Sequence, residues 1–152
     1  MRAAVCLVAA LAIAAAAADK PNFSGEWKMN AAKSVLGAVP APTSWTRQVT
    51  HREPTLRIAN DQKGGIGEQS YTRTYTTDGK EIAYQSDGTD VKGAATWDGD
   101  ALVIRSYADA GGTTISITEK MTLSGGNKTL TDAVHIVIPR GEIDVTYIFD
   151  KQ

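Results

Sequence analysis

The chain has 152 residues, with 16 lysines and arginines against 17 aspartates and glutamates, a net charge of −1 and a single cysteine. The charges are scattered along the whole length, which excludes the concentrated basic face of a nucleic-acid or anionic-membrane binder. A chain of this size buries enough surface for one hydrophobic core and too little for two, so a single domain is expected.

Met1-Arg2 is followed by an alanine-rich apolar run from Ala3 to Ala18 and then by the polar switch Asp19-Lys20-Pro21. This pattern is that of a secretory leader. The run falls short of the ~20 apolar residues that a spanning helix needs, and Ala16 and Ala18 are the small residues that a signal peptidase accepts. Residues 1–18 are therefore expected to be a signal peptide and residues 19–152 the folded domain, delivered to the periplasm or secreted. Cys6 leaves with the leader, so packing alone, without disulfides or thiolate metal sites, must hold the domain together.

From residue 44 onward, short runs rich in Thr, Val, Ile and Tyr are broken by Gly64-Gly65, Asp78-Gly79, Asp87-Gly88, Asp98-Gly99, Gly111-Gly112 and Gly125-Gly126-Asn127. Such breaks supply the positive φ of tight hairpins. Strands are predicted near 22–29, 44–52, 55–62, 68–77, 80–86, 91–97, 101–108, 113–123, 129–138 and 142–150. A meander of that many strands exposes edges unless it closes, so the expected fold is all-β, one antiparallel up-and-down barrel of about eight to ten strands. The segment 31–42 breaks the pattern: Ala31-Ala32-Lys33-Ser34-Val35-Leu36 has room for one or two helical turns, with Val35 and Leu36 plugging a barrel mouth, or it is a plain loop.

Strand periodicity of two sorts each run into two faces, and the more apolar one is the interior. The first strand turns Phe23, Gly25, Trp27 and Met29 inward; the last turns Ile143, Val145, Tyr147 and Phe149 inward. Several polar residues share the inner rows: Arg47 and His51 beside Trp45, Arg73 between Tyr71 and Tyr75, Glu119 between Ile117 and Met121, and Asp132 between Leu130 and Val134. Interior charge is costly unless paired, so these residues mark either internal ion pairs or the place of a polar ligand group. Arg73 is the test case: a carboxylate partner makes it structural, and an open cavity in front of it makes it the holder of an acidic head. The two histidines, His51 and His135, lie on different strands and are both expected to be partly exposed, which argues against a metal site. There is no Gly-x-Ser-x-Gly, no phosphate loop ahead of a helix and no sign of a cofactor.

The segment Asn22-Phe23-Ser24-Gly25-Glu26-Trp27-Lys28-Met29 resembles the opening of the calycin superfamily, in which Gly-x-Trp begins the first strand. Glycine there allows a close approach at the barrel end, and the indole closes the floor. The turns Thr77-Asp78-Gly79-Lys80 and Trp97-Asp98-Gly99-Asp100, with the closing Tyr147-Ile148-Phe149-Asp150-Lys151, are similar to the layout of fatty-acid-binding proteins and of lipocalin-like domains of secreted bacterial proteins. Fatty-acid-binding proteins end on an Arg-x-Tyr carboxylate clamp; the matching positions here are Tyr147 and Phe149, and the arginine is missing unless Arg47 or Arg73 replaces it.

The resemblance implies a monomeric barrel without a membrane span or nucleic-acid partner. It would hold a small apolar or amphipathic molecule against Trp27, Arg47, Tyr71, Arg73, Tyr75, Trp97, Glu119, Asp132, Tyr147 and Phe149. Such a binder needs a cavity of roughly 300 Å³ or more. A second reading is a protein-binding envelope module, an inhibitor or assembly factor, that has no ligand cavity and presents Val39 and Trp45 as an exposed rim patch. A third, a barrel enzyme, would rest on Asp132, Glu119 and Arg73 converging as an acid and base pair.

Overall fold

Ten strands form one antiparallel meander: β1 (Gly25–Met29), β2 (Pro42–Arg52), β3 (Thr55–Gly64), β4 (Gln69–Thr76), β5 (Ile82–Ser86), β6 (Thr89–Asp98), β7 (Ala101–Ala110), β8 (Thr113–Ser124), β9 (Thr129–Ile138) and β10 (Gly141–Lys151). The computed structural model describes residues 19–65, 67–86 and 88–152; the expected signal peptide lies outside the described residues. Glycines 64, 65, 79, 88, 99, 111, 112, 125 and 126 all take positive φ, as does Asn127, so the hairpins fall where the sequence places them.

β1 pairs with both β2 and β10, and this closes the sheet into a nearly complete barrel whose order runs β4-β3-β2-β1-β10-β9-β8-β7-β6-β5. The seam lies between β4 and β5, which share no ladder. It is held at one end by the Asp78–Thr96 bridge and the Gly79 N–H bond to the Ala95 carbonyl at 2.9 Å. Gly93 matters there: a Cβ on it would stand 2.9 Å from Ser106 Oγ and 3.3 Å from the Tyr75 ring, so only glycine lets Tyr75 close over the seam.

The floor of the barrel is built as the Gly-x-Trp pattern implies. Gly25 has φ of 147° and passes so close to β10 that a Cβ would lie 2.7 Å from Lys151 Cε. Trp27 is fully buried, and its Nε1–H donates to the Phe23 carbonyl at 3.0 Å. Phe23, Trp27, Leu56, Leu102, Ile104, Met121, Leu130 and Phe149 are all without exposure, and they fill the floor half completely.

One expectation is corrected here, and two alternatives that the sequence leaves open are decided. Residues 31–42 form no helix: the Val35 and Thr146 backbones exchange two hydrogen bonds of 2.8 Å, and Asn30 N–H reaches the Ile148 carbonyl at 2.7 Å. The segment's backbone groups are thus spent on the β10 edge that the short β1 leaves bare, and Val35 points outward, 66% exposed, rather than plugging the mouth. His51 is buried at 5% exposure, because the segment before β1 lies across the floor above it; its Nδ1 accepts the Phe23 N–H at 3.2 Å and its Nε2 faces Glu53 Oε1 at 2.9 Å. Trp45 is buried too, at 7%, wedged edge-on between Tyr147 and Phe149, so the exposed rim patch around it does not exist.

Candidate functional site

Above the packed floor, a layer of polar side chains crosses the barrel, and above that layer a cavity opens toward the mouth. The layer is set by register. β2 places Arg47 opposite Asn60 of β3, β3 places Ile58 opposite Arg73 of β4, and β8 places Met121 opposite Asp132 of β9. All five polar groups of this layer, Arg47, Asn60, Arg73, Glu119 and Asp132, follow the inward parity of their apolar neighbours.

Arg47 is 1% exposed and fully engaged. Its Nη1 donates to Asp132 Oδ2 at 2.8 Å, its Nε donates to Asn60 Oδ1 at 2.9 Å, and its Nη2 stands 4.0 Å from Glu119 Oε1. The guanidinium lies 4.7 Å from the Phe149 ring centre and 5.3 Å from that of Trp45, whose indole N–H also donates to Asn60 Oδ1 at 2.9 Å. An arginine from β2 thus occupies the space in front of Phe149, but a carboxylate of the chain itself already neutralises it. Burial, opposed by the nearby Arg47 charge and reinforced by Glu119, pushes the Asp132 carboxyl up to about 6.

Arg73 sits higher. Its Nη1 lies 3.3 Å from Glu119 Oε2, Tyr75 Oη and Tyr84 Oη, and its Nη2 lies 3.2 Å from Tyr71 Oη. The Tyr84 hydroxyl passes the chain on to Ser106 Oγ at 3.2 Å, so these contacts also stitch β4 to β5 across the seam. Burial works against the Arg73 charge, yet Glu119 and the tyrosines around it hold its pKa well above the usual value. Burial also raises the hydroxyls of Tyr71 and Tyr75, which stay neutral donors and acceptors. The carboxylate partner decides the question that the sequence leaves open: Arg73 is one half of an internal ion pair.

The cavity measures about 280 Å³, just under the roughly 300 Å³ set for a binder. Of the ten residues expected to contact a ligand, Tyr71, Arg73, Glu119 and Tyr147 line it. Trp27, Arg47, Tyr75, Trp97, Asp132 and Phe149 face the interior or its floor but do not line the cavity; they belong to the packed half and to the polar layer beneath. The lining includes Trp45, Gln62, Gln69, Tyr84 and Ser106, which the sequence reading does not select, and an apolar wall of Val91, Ile115, Ile117, Val134 and Ile136. Gln62 and Asn60 continue the Leu56, Ile58 row by steps of two, and Tyr84 follows Ile82 in the same way, so parity extended past the last apolar residue finds them. The cavity wall contains Glu119 and not Asp132, so the two carboxylates do not face a bound molecule as an acid and base pair.

No family model and no curated protein sequence matches the chain. Solved structures do. A secretory abundant heat soluble protein from Ramazzottius varieornatus superposes with a TM-score of 0.64 at 10% identity, over 86% of this chain and 95% of that one. The zebrafish ileal bile acid-binding protein, solved with cholic acid, gives 0.62 at 14% identity over 86% and 98%. The fatty-acid-binding protein of Manduca sexta gives 0.51 at 12% over 85% and 99%. The chain shares the antiparallel barrel fold of these proteins. In this barrel the floor tryptophan and the closing strand stand as the resemblance implies, while the interior carries two arginines that are each paired with a carboxylate.

Proposed function

We propose that the protein is an exported calycin barrel that holds a small, largely apolar molecule in the cavity beneath its mouth. The cavity itself carries this reading. It is walled by aliphatic side chains on β8 and β9 and ends at Arg73, Glu119 and the tyrosines. Apolar walls with a few convergent polar groups are the ordinary make-up of a small-molecule site. Tyr71, Arg73, Glu119 and Tyr147, with Trp45 and Tyr84, are the residues assigned to contact the ligand. The bile acid-binding and fatty-acid-binding proteins that share the fold support a ligand-holding role by analogy. Export rests on the apolar run from Ala3 to Ala18 and the polar switch Asp19-Lys20-Pro21 that follows it.

Native mass spectrometry of the mature protein purified from its own host tests this reading. A retained adduct of small-molecule mass that disappears on denaturation is expected. Only the bare mass, under conditions gentle enough to preserve a control calycin complex, would contradict it.

A further inference from the structure

The charges at the polar end of the cavity specify what head its ligand carries. Among the described residues, four side chains carry charge within the barrel interior: Arg47 and Arg73, Glu119 and Asp132. They pair off, Arg47 with Asp132 at 2.8 Å and Arg73 with Glu119 at 3.3 Å, so the interior is electrically balanced before any ligand enters. Only the second pair reaches the cavity, and Arg73 and Glu119 are each 10% exposed. The hydrogen-bonding capacity left over is that of neutral chemistry. Arg73 Nε–H has no partner among the described residues. Tyr71 Oη accepts from Arg73, which leaves its own O–H to donate. Gln62 and Gln69 present amides, and Glu119 accepts.

We propose that the cavity selects an uncharged amphiphile with a hydroxyl or carboxamide head and rejects a carboxylate on the same apolar body. A hydroxyl oxygen accepts from the Tyr71 hydroxyl while its own O–H donates to Glu119, and the charge balance is untouched. A carboxylate would add a second anion beside Glu119 in a site with little water, and the guanidinium's Nη1 and Nη2 are already engaged; like charges at short range in such surroundings are strongly unfavourable. This inference rests on the binding reading above, but it fails separately from it.

The experiment is calorimetric titration of the mature protein, at about pH 8 where free carboxylic acids and Asp132 are ionised, with decan-1-ol, decanoate and decane-1-sulfonate. Decan-1-ol is expected to bind at least about tenfold more tightly than either anion, because each anion adds an uncompensated charge to the interior. Glu119→Gln removes the resident anion, and the affinity of the two anionic probes relative to decan-1-ol should rise about tenfold. Asp132→Asn, which removes the other interior anion from outside the cavity, should move the anions in the same direction and stands in if Glu119→Gln does not fold. Anions that bind the unaltered protein as tightly as decan-1-ol, or a folded Glu119→Gln variant with an unchanged ratio, would overturn the assignment of the head while leaving the binding reading in place. Failure of all three probes to bind would overturn both.

Discussion

Asp132 is wholly buried against Arg47, and its Oδ1 has no partner among the described residues. Its carboxyl is pushed by burial from 3.8 up to about 6. With the folded value above the unfolded one, the folded protein holds this proton at pH values where the unfolded chain has already lost it. The stability that Asp132 contributes therefore grows as pH falls from about 6 toward 3.8 and is lost again as pH rises through the folded value. Linkage between those two values makes the domain about 1 kcal/mol more stable at pH 5 than at pH 7 through this group alone, or a few degrees in Tm for a domain of this length. Asp132→Asn has no proton to bind and should lack the increment.

Other groups titrate in both proteins and cancel in the comparison. Asp78, Glu81, Asp98 and Asp150, exposed carboxylates held low chiefly by hydrogen bonds, lose their contributions at lower pH, and His135, raised chiefly by its bond to Asp144, is common to both. Differential scanning calorimetry at the two pH values gives Tm for each protein. Wild type should gain relative to Asp132→Asn on going from pH 7 to pH 5. Parallel shifts in the two proteins, or a relative loss by wild type, would refute the claim that burial dominates at this carboxyl.

The remaining predictions concern packing and the cavity. Arg47→Met strands Asp132 in the interior and should cost about 3–5 kcal/mol by denaturant unfolding, most of it recovered in Arg47→Met/Asp132→Leu; an Arg47→Met protein as stable as wild type would show that the pair does not govern this layer. Gly93→Ala forces a Cβ to within 2.9 Å of Ser106 Oγ and against Tyr75, and should cost about 1–3 kcal/mol as the seam is pushed apart. A neutral result there would mean that Tyr75 does not close the seam. Ile117→Trp projects an indole into the cavity and should abolish binding of decan-1-ol while Tm stays within a few degrees, since the space it fills is open; retained binding would place the ligand elsewhere.

Strand alternation made the inner faces legible. Arg73, Glu119 and Asp132 each sit between apolar residues two positions away, and each points inward as that parity requires. The height of a residue along the barrel axis is a different matter. Trp27, Tyr75 and Phe149 share parity with Tyr71 and Tyr147, yet they pack into the floor half while the latter reach the cavity. Cross-strand register and the closure of β1 onto β10 set that height, and no single strand's pattern contains them. The same limit applies to pairing: Arg47 and Asp132 are 85 residues apart, and only the closed sheet brings them to 2.8 Å. A tryptophan next to a proline-rich loop, as Trp45 is, fits an inner row or an exposed rim equally well from sequence; the neighbours that bury it, Tyr147 and Phe149, arrive from the other end of the chain. The loop at 31–42 has helix-forming composition, and tertiary hydrogen bonds to the β10 edge override that weak local preference.

The central claim, that the mouth half of this barrel is a ligand cavity and the floor half a closed core, is tested most directly by 1H–13C methyl spectra of the mature protein titrated with decan-1-ol. The methyls of Ile115, Ile117, Val134 and Ile136, which form the cavity wall, should shift together and saturate, while those of Leu56, Leu102 and Leu130 in the filled floor stay in place. Shifts confined to the exposed Val35, Val137 and Ile143, or no saturable shift at all, would contradict it.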